Sequence, residues 1–265
     1  MSVQERKRAK AAAKNRRAAF YDLDGTLAEL NLVHSVLFVL ANLGSWSDRV
    51  AYVSSFAARL PRLYAAERRD RHLLNVVMFE VLRGISRDRL VMLGEEYCER
   101  VLWGGLYERA VELLQANQEA GLEPVLVTGS PDFMVAPLAR RLGVVSFAAN
   151  RLVFRGGIAT GRLREPVMAG TEKAHWLARF ADANRLELAA CWGYADSYYD
   201  LPFLSAVGHP VAVNPDRRLD AVAHARRWPV MRFGRRGESA AADGLSGWLL
   251  GRLGGILDGA SGSQA

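Results

Sequence analysis

Short apolar runs, each ending in a turn rich in glycine or aspartate and separated by stretches of helical periodicity, constrain this chain more than any other feature. Ala18 to Leu23 runs into Asp24-Gly25-Thr26, and Glu123 to Val127 runs into Thr128-Gly129-Ser130. Val144 to Ala148, Leu188 to Trp192 with its turn Gly193 to Ser197, and Val211 to Val213 complete the series. Runs of this kind read as strands buried on both faces. Helices are expected from Leu106 to Ala120, closed by Gly121, from Pro131 through Leu142, and from Thr171 to Ala183, and such crossovers are what parallel strands require. The pattern predicts an α/β fold, a Rossmann-like parallel sheet core with helices on both faces. Ligands of such sheets bind beyond the carboxyl ends of the strands. Arg151 to Leu163 reads as a hairpin around Gly156-Gly157.

The alternation stops from Ala28 to Leu102, where runs such as LVHSVLFVL and LLNVVMFEVL predict an inserted all-helical cap. The expected organisation is a basic arm at 1–17, an α/β core from 18–27 and 103–233, a helical cap at 28–102 and a tail at 234–265. Half of the 265 residues are apolar, so a core forms without disulfides. Cys98 and Cys191 are far apart and lie in apolar contexts, which predicts buried free thiols in a reducing compartment rather than a zinc pair. Leu32 to Leu43 is too short to span a bilayer, and no apolar leader follows the basic start. The cytoplasm is the expected location.

Charge is concentrated at one end. Residues 1–17 carry seven basic residues against Glu5, leaving only +1 of the net +7 for the rest. A globular nucleic-acid surface is not indicated, although the arm leaves open a contact with nucleic acid, a protein partner or anionic lipid beside the plain reading of a solvated leader. The tail places Leu245, Trp248, Leu249, Leu253 and Ile256 at helical spacing, fit for docking on the core or for peripheral membrane contact. After Lys14 the chain uses arginine for every cation except Lys173. That exception points to a site needing a compact ammonium.

The chemistry-bearing residues fall at the predicted strand ends. Asp22 and Asp24 sit two residues apart, so they project together from the end of the first strand and repel each other unless a cation lies between them. Mg²⁺ would serve and would also bridge a phosphate. By itself the stretch is also compatible with a calcium loop or a polar turn. Thr128 and the N–H of Gly129 offer hydrogen bonds to a phosphoryl oxygen, with the helix start at Pro131 favouring an anion. Lys173 can neutralise phosphate and keep a nucleophile ionised. Asp196 and Asp200 add two carboxylates after a buried strand, one as a metal ligand and one to orient it.

Asp22/Asp24, Thr128, Lys173 and Asp196/Asp200, in this order, resemble the haloacid dehalogenase superfamily, most closely its phosphoserine-phosphatase-like branch with a helical cap after the first motif. The resemblance covers about residues 18 to 233. It implies a Mg²⁺-dependent phosphomonoester hydrolase in which Asp22 attacks phosphorus and becomes an aspartyl-phosphate, while Asp24 protonates the leaving oxygen and then deprotonates water. Mg²⁺ would be held by Asp22, the Asp24 carbonyl and Asp196, with Asp200 supporting them from behind. Thr128, Gly129 and Lys173 would bind phosphate.

The sequence departs from this branch where its members hold a zwitterionic substrate. Asn31 stands nine residues after the nucleophile in place of an acid, and Met78 falls near the position of a cap arginine. Other polar groups of the cap that could reach a substrate are His34, Glu80 and Arg83. The expected substrate is a small phosphorylated metabolite, with a lipid phosphate hydrolysed at a membrane surface as the alternative suggested by the apolar cap. The same apolar residues also read simply as cap packing. A binding protein using the basic arm, with the core as scaffold, is the alternative of another class.

Overall fold

The computed structural model describes residues 16–234. The expected arm up to residue 15 and the tail helix from residue 235 therefore lie outside the described residues. Strand β1 (Arg17–Tyr21) is paired in parallel with β2 (Leu122–Pro131) on one side and β6 (Trp192–Ala195) on the other. Further out lie β3 (Ser146–Asn150) beyond β2, and β7 (His209–Val213) followed by β8 (Val230–Met231) beyond β6. The order is β3-β2-β1-β6-β7-β8, all parallel. The chain winds outward from β1 in one direction and restarts at β6 in the other, so β1 and β6 flank the crevice where strand order reverses.

Both faces of β1 are buried. Ala18 and Phe20 pack with Leu177 of one helical layer, while Ala19 and Tyr21 pack into the layer that includes Leu114 and Leu138. The two-residue period of the strand thus serves two cores. Arg17 opens β1 and Arg16 pairs with Glu123, which moves the start of the core ahead of the expected residue 18. Cys98 and Cys191 are buried and unpaired.

Four α-helices form the insertion after β1: α1 (Leu32–Ala41), α2 (Trp46–Arg69), α3 (Arg71–Glu80) and α4 (Arg87–Tyr97), the last followed by a π-helical turn at Cys98–Leu102. Asn31, Asp70 and Ser86 cap α1, α3 and α4 by accepting from backbone N–H groups of the first turns. After α5 (Glu108–Glu119) and β2 comes α6 (Asp132–Arg141), against which α4 packs closely. A Cβ on Gly94 would lie 2.1 Å from the Phe133 carbonyl oxygen, so the contact requires glycine. β4 (Leu152–Arg155) and β5 (Ile158–Leu163) form the expected antiparallel hairpin, with Gly156 and Gly157 both at positive φ. The hairpin is joined to the helical insertion by Gly84 N–H on the Ala159 carbonyl (2.9 Å) and Arg87 N–H on that of Gly157 (2.8 Å).

The remaining α-helices among the described residues are α7 (Thr171–Asn184), α8 (Leu201–Ser205) and α9 (Arg217–Arg226). The expected strand at Leu188 to Trp192 is corrected: Leu188–Ala190 is a 3₁₀ turn, and the strand spans the residues read as a turn. Gly193 sits inside that strand because α8 and Val207, two residues beyond it, press on the sheet there. A Cβ on Gly193 would meet the Val207 side chain at 2.9 Å.

Candidate active site

Asp22 follows β1 directly, and its N–H donates to the Tyr194 carbonyl (2.9 Å), extending the β1–β6 pairing to the site. Lys173, in the first turn of α7, is only 5% exposed. Its ammonium donates to Asp22 Oδ1 at 2.8 Å and contacts Asp200 Oδ1 at 2.9 Å. A buried cation is tolerable only with such partners. Burial pulls the Lys173 amine down, but the two carboxylates outweigh it and hold the group charged. Asp196, directly after β6, joins them, and carboxylate oxygens of Asp22, Asp196 and Asp200 lie within 4.8 Å of one another.

One ammonium among three carboxylates leaves surplus negative charge. Burial, with repulsion from Asp200 and Asp24, pushes Asp22 up to about 7 despite Lys173. Burial and the charges of Asp22 and Asp200 likewise raise Asp196 well above the usual carboxylate range. A hard divalent cation would relieve both carboxyls, so the donor set fits Mg²⁺.

Asp24 is held differently. The Ser130 hydroxyl donates to Asp24 Oδ2 at 2.7 Å and the Thr128 hydroxyl at 3.2 Å, while Thr128 Oγ accepts from Ser130 N–H at 3.0 Å. Burial raises the Asp24 carboxyl; Ser130, Lys173, Thr128 and Arg71 pull the other way. Gly25 adopts φ +84°, and a Cβ there would fall 2.2 Å from Asp196 Oδ2. Glycine is therefore the residue that lets the Asp24 loop meet Asp196. Thr26 Oγ completes the contact by donating to Asp196 Oδ1 (3.3 Å).

A cavity of about 480 Å³ opens above these groups, between the strand ends and α1–α3. Asp22, Asp24, Gly129, Lys173, Asp196 and Asp200 line its floor, and Asn31 and Met78 its roof. Thr128 is fully buried beside Gly129, and its hydroxyl donates to Asp24 Oδ2. His34 and Arg83, expected as substrate contacts, lie outside the cavity. His34 Nδ1 belongs to the α1 cap with Asn31, and Arg83 Nε donates to the Thr160 carbonyl at 3.1 Å. Glu80 is engaged by Arg62 at 3.1 Å. Asn31 lines the wall, but its Oδ1 accepts from Val33 N–H (3.0 Å) and His34 N–H (3.3 Å).

Ser130, Gly25, Thr26 and Arg71 were not singled out in the sequence. The alternation Thr128-Gly129-Ser130 carries a signal for the first, since both hydroxyls emerge on one side of β2. Arg71 has none. Among the described residues it is the one arginine on the cavity wall, no described carboxylate forms an ion pair with it, and its guanidinium carbon lies 5.6 Å from the Tyr199 ring centroid.

The haloacid dehalogenase-like hydrolase family matches residues 19–205. The phosphoserine phosphatase SerB1 of Mycobacterium tuberculosis is 34% identical over 243 residues, covering 91% of this chain and 78% of the relative. Among solved structures, a protein of unknown function from Bordetella pertussis superposes with a TM-score of 0.71 at 29% identity, covering 82% of this chain and 98% of that one. A phosphoserine phosphatase in apo form gives 0.61 at 16% identity, over 83% and 95% of the two chains, a likeness of fold.

Proposed function

The chain belongs to the haloacid dehalogenase-like hydrolases and is a phosphatase of that family, and from that premise we propose that it hydrolyses a small-molecule phosphomonoester through a phosphoryl group carried on Asp22, with Mg²⁺ as cofactor. The observation that carries this reading is the Lys173 ammonium clamped between Asp22 and Asp200, with Asp196 as a third carboxylate in reach. Asp22, Asp196 and the Asp24 carbonyl would hold the ion, whose charge offsets that of the phosphoryl oxygens when it is bound.

Asp22 attacks phosphorus in line, forming an acyl phosphate as the bond to the ester oxygen breaks. Lys173 opposes the burial that raises Asp22 and attracts the incoming dianion. Asp24, raised by burial and held by Ser130 and Thr128, gives its proton to the departing alcohol oxygen. The Asp24 carboxylate then takes a proton from water as that water attacks the phosphorus of the acyl phosphate, releasing inorganic phosphate and restoring Asp22. Gly129, at the cavity wall, offers its N–H to a phosphoryl oxygen, and its carbonyl is fixed by Asn150 Nδ2 at 2.8 Å.

Phosphate release from p-nitrophenyl phosphate, phosphoserine, sugar phosphates and histidinol phosphate, with Mg²⁺ and with EDTA, tests the reading. Release that EDTA abolishes is expected. Full activity in EDTA, or none with any ester in Mg²⁺, would refute it. Phosphoserine is expected to be a poor substrate: Asn31 is committed to its helix cap and Met78 is fully buried, so neither supplies a charge for a zwitterion.

A further inference from the structure

We propose that the leaving group for which this cavity is built is an apolar chain, so that the substrate is an amphiphilic phosphomonoester with its phosphate on the carboxylate floor and its chain lying along α2 to the mouth. The proposal rests on the phosphatase reading above.

The cavity has a charged floor and a long apolar wall, with Glu29 and Arg71 as further charged side chains on its lining. Its floor holds the carboxylates and Lys173, and Arg71 lies near that floor beside Tyr199. One wall is made by Leu32 and Val33 of α1 and by Phe56, Leu60, Leu63 and Tyr64 of α2. Positions 56, 60, 63 and 64 share one helical face. From Phe56 to Tyr64 the helix rises about 12 Å, the span of an extended chain of roughly eight to ten carbons. Phe56 and Leu63 are buried, whereas Leu60 is 51%, Tyr64 58% and Val33 38% exposed. Apolar surface thus continues from the floor out through the mouth, with Leu60 half-exposed along it. A hydrocarbon chain would cover the wall and be covered by it.

The test is calorimetric titration of the full chain, in Mg²⁺, with n-alkyl phosphonates from ethyl to decyl kept below micelle formation. These bind without being hydrolysed. Kd is expected to fall two- to fourfold per added methylene until the wall is filled near octyl to decyl, and a Kd independent of chain length would overturn the proposal. Leu60→Asp places a carboxylate in the path of the chain at a half-exposed position that the fold tolerates. The variant is expected to lose the gain beyond about butyl, and an unchanged slope would also overturn the proposal. Turnover of the matching alkyl phosphates separates the two readings: length-dependent binding without phosphate release supports the chain site and sinks the hydrolase mechanism, whereas release indifferent to length does the reverse. A final arm presents phosphatidate in phosphatidylcholine vesicles. Release there as well as from monomeric octyl phosphate supports the proposal with a bilayer as the source, and release from the monomer only supports it with a dispersed amphiphile.

Discussion

The floor of the cavity is set by neighbouring strand ends whose carboxylates each have a partner, whereas its roof is made of helix side chains that mostly hold one another and leave Leu60 half-exposed. Floor geometry is inherited from backbone pairing: the Asp22 N–H bonds β6, and the Asp216 N–H bonds the Asp196 carbonyl at 2.8 Å. The roof is positioned by helix caps and by the hairpin bonds of Gly84 and Arg87. Chemistry that needs sub-ångström placement sits on the part that cannot shift without unpairing the sheet. Selectivity sits on the part that can be resurfaced without disturbing it.

That division can be broken from the floor. Asp22→Asn removes the attacking oxygen and is expected to lower kcat by about 10⁴-fold or more while the circular dichroism spectrum stays native. Gly25→Ala should cost about 10²-fold or more and weaken the response to Mg²⁺, because its methyl would displace Asp196 and sit at φ +84°. Measuring activity against Mg²⁺ concentration checks it. Ser130→Ala removes a bond to a charged acceptor worth about 1.5–3 kcal/mol, so a ten- to hundredfold loss of kcat is expected. Because that bond lowers the Asp24 carboxyl, the pH–rate profile should move upward as well. An unchanged profile would mean that Ser130 does not govern Asp24.

The smallest expected effect concerns stability without metal. Asp22 is raised to about 7 in the folded protein, so between about pH 4 and pH 7 the native state retains a proton that the unfolded chain has released. Stability of the EDTA-treated protein should therefore fall as pH rises through that window. At pH 7, Mg²⁺ at a hundred times its Kd should restore about 2.7 kcal/mol. Asp196→Asn removes one of the repelling charges and should flatten the decline in thermal scans. A metal-free Tm that climbs steadily from pH 4 to 7 would contradict this.

Much of the floor was legible because its residues follow apolar strands at short range: Asp22 and Asp24 after AAFYDL, Gly129 after PVLV, and Lys173 as the sole lysine after the arm. What stayed hidden is defined by proximity across the chain. Gly25 and Thr26 matter through Asp196, about 170 residues away, and Arg71 lines the site only because α3 packs with α2 over the cavity. Gly193 misled the placement of β6, since a glycine that reads locally as a turn is here a strand position chosen for close packing. The two-residue β8 is too short to carry any periodicity. His34, three residues after Asn31, also closes the α1 cap, its Nδ1 accepting from the Asn31 N–H.

The most direct test of the account is to trap the phosphoryl group on the protein. Enzyme turning over a good phosphomonoester is quenched and treated with borohydride, which reduces an acyl phosphate to an alcohol, and the digested chain is read by mass spectrometry. The account predicts homoserine at position 22 and unmodified aspartate at positions 24, 196 and 200. Steady turnover with unmodified Asp22, or the label at another carboxylate, would contradict it.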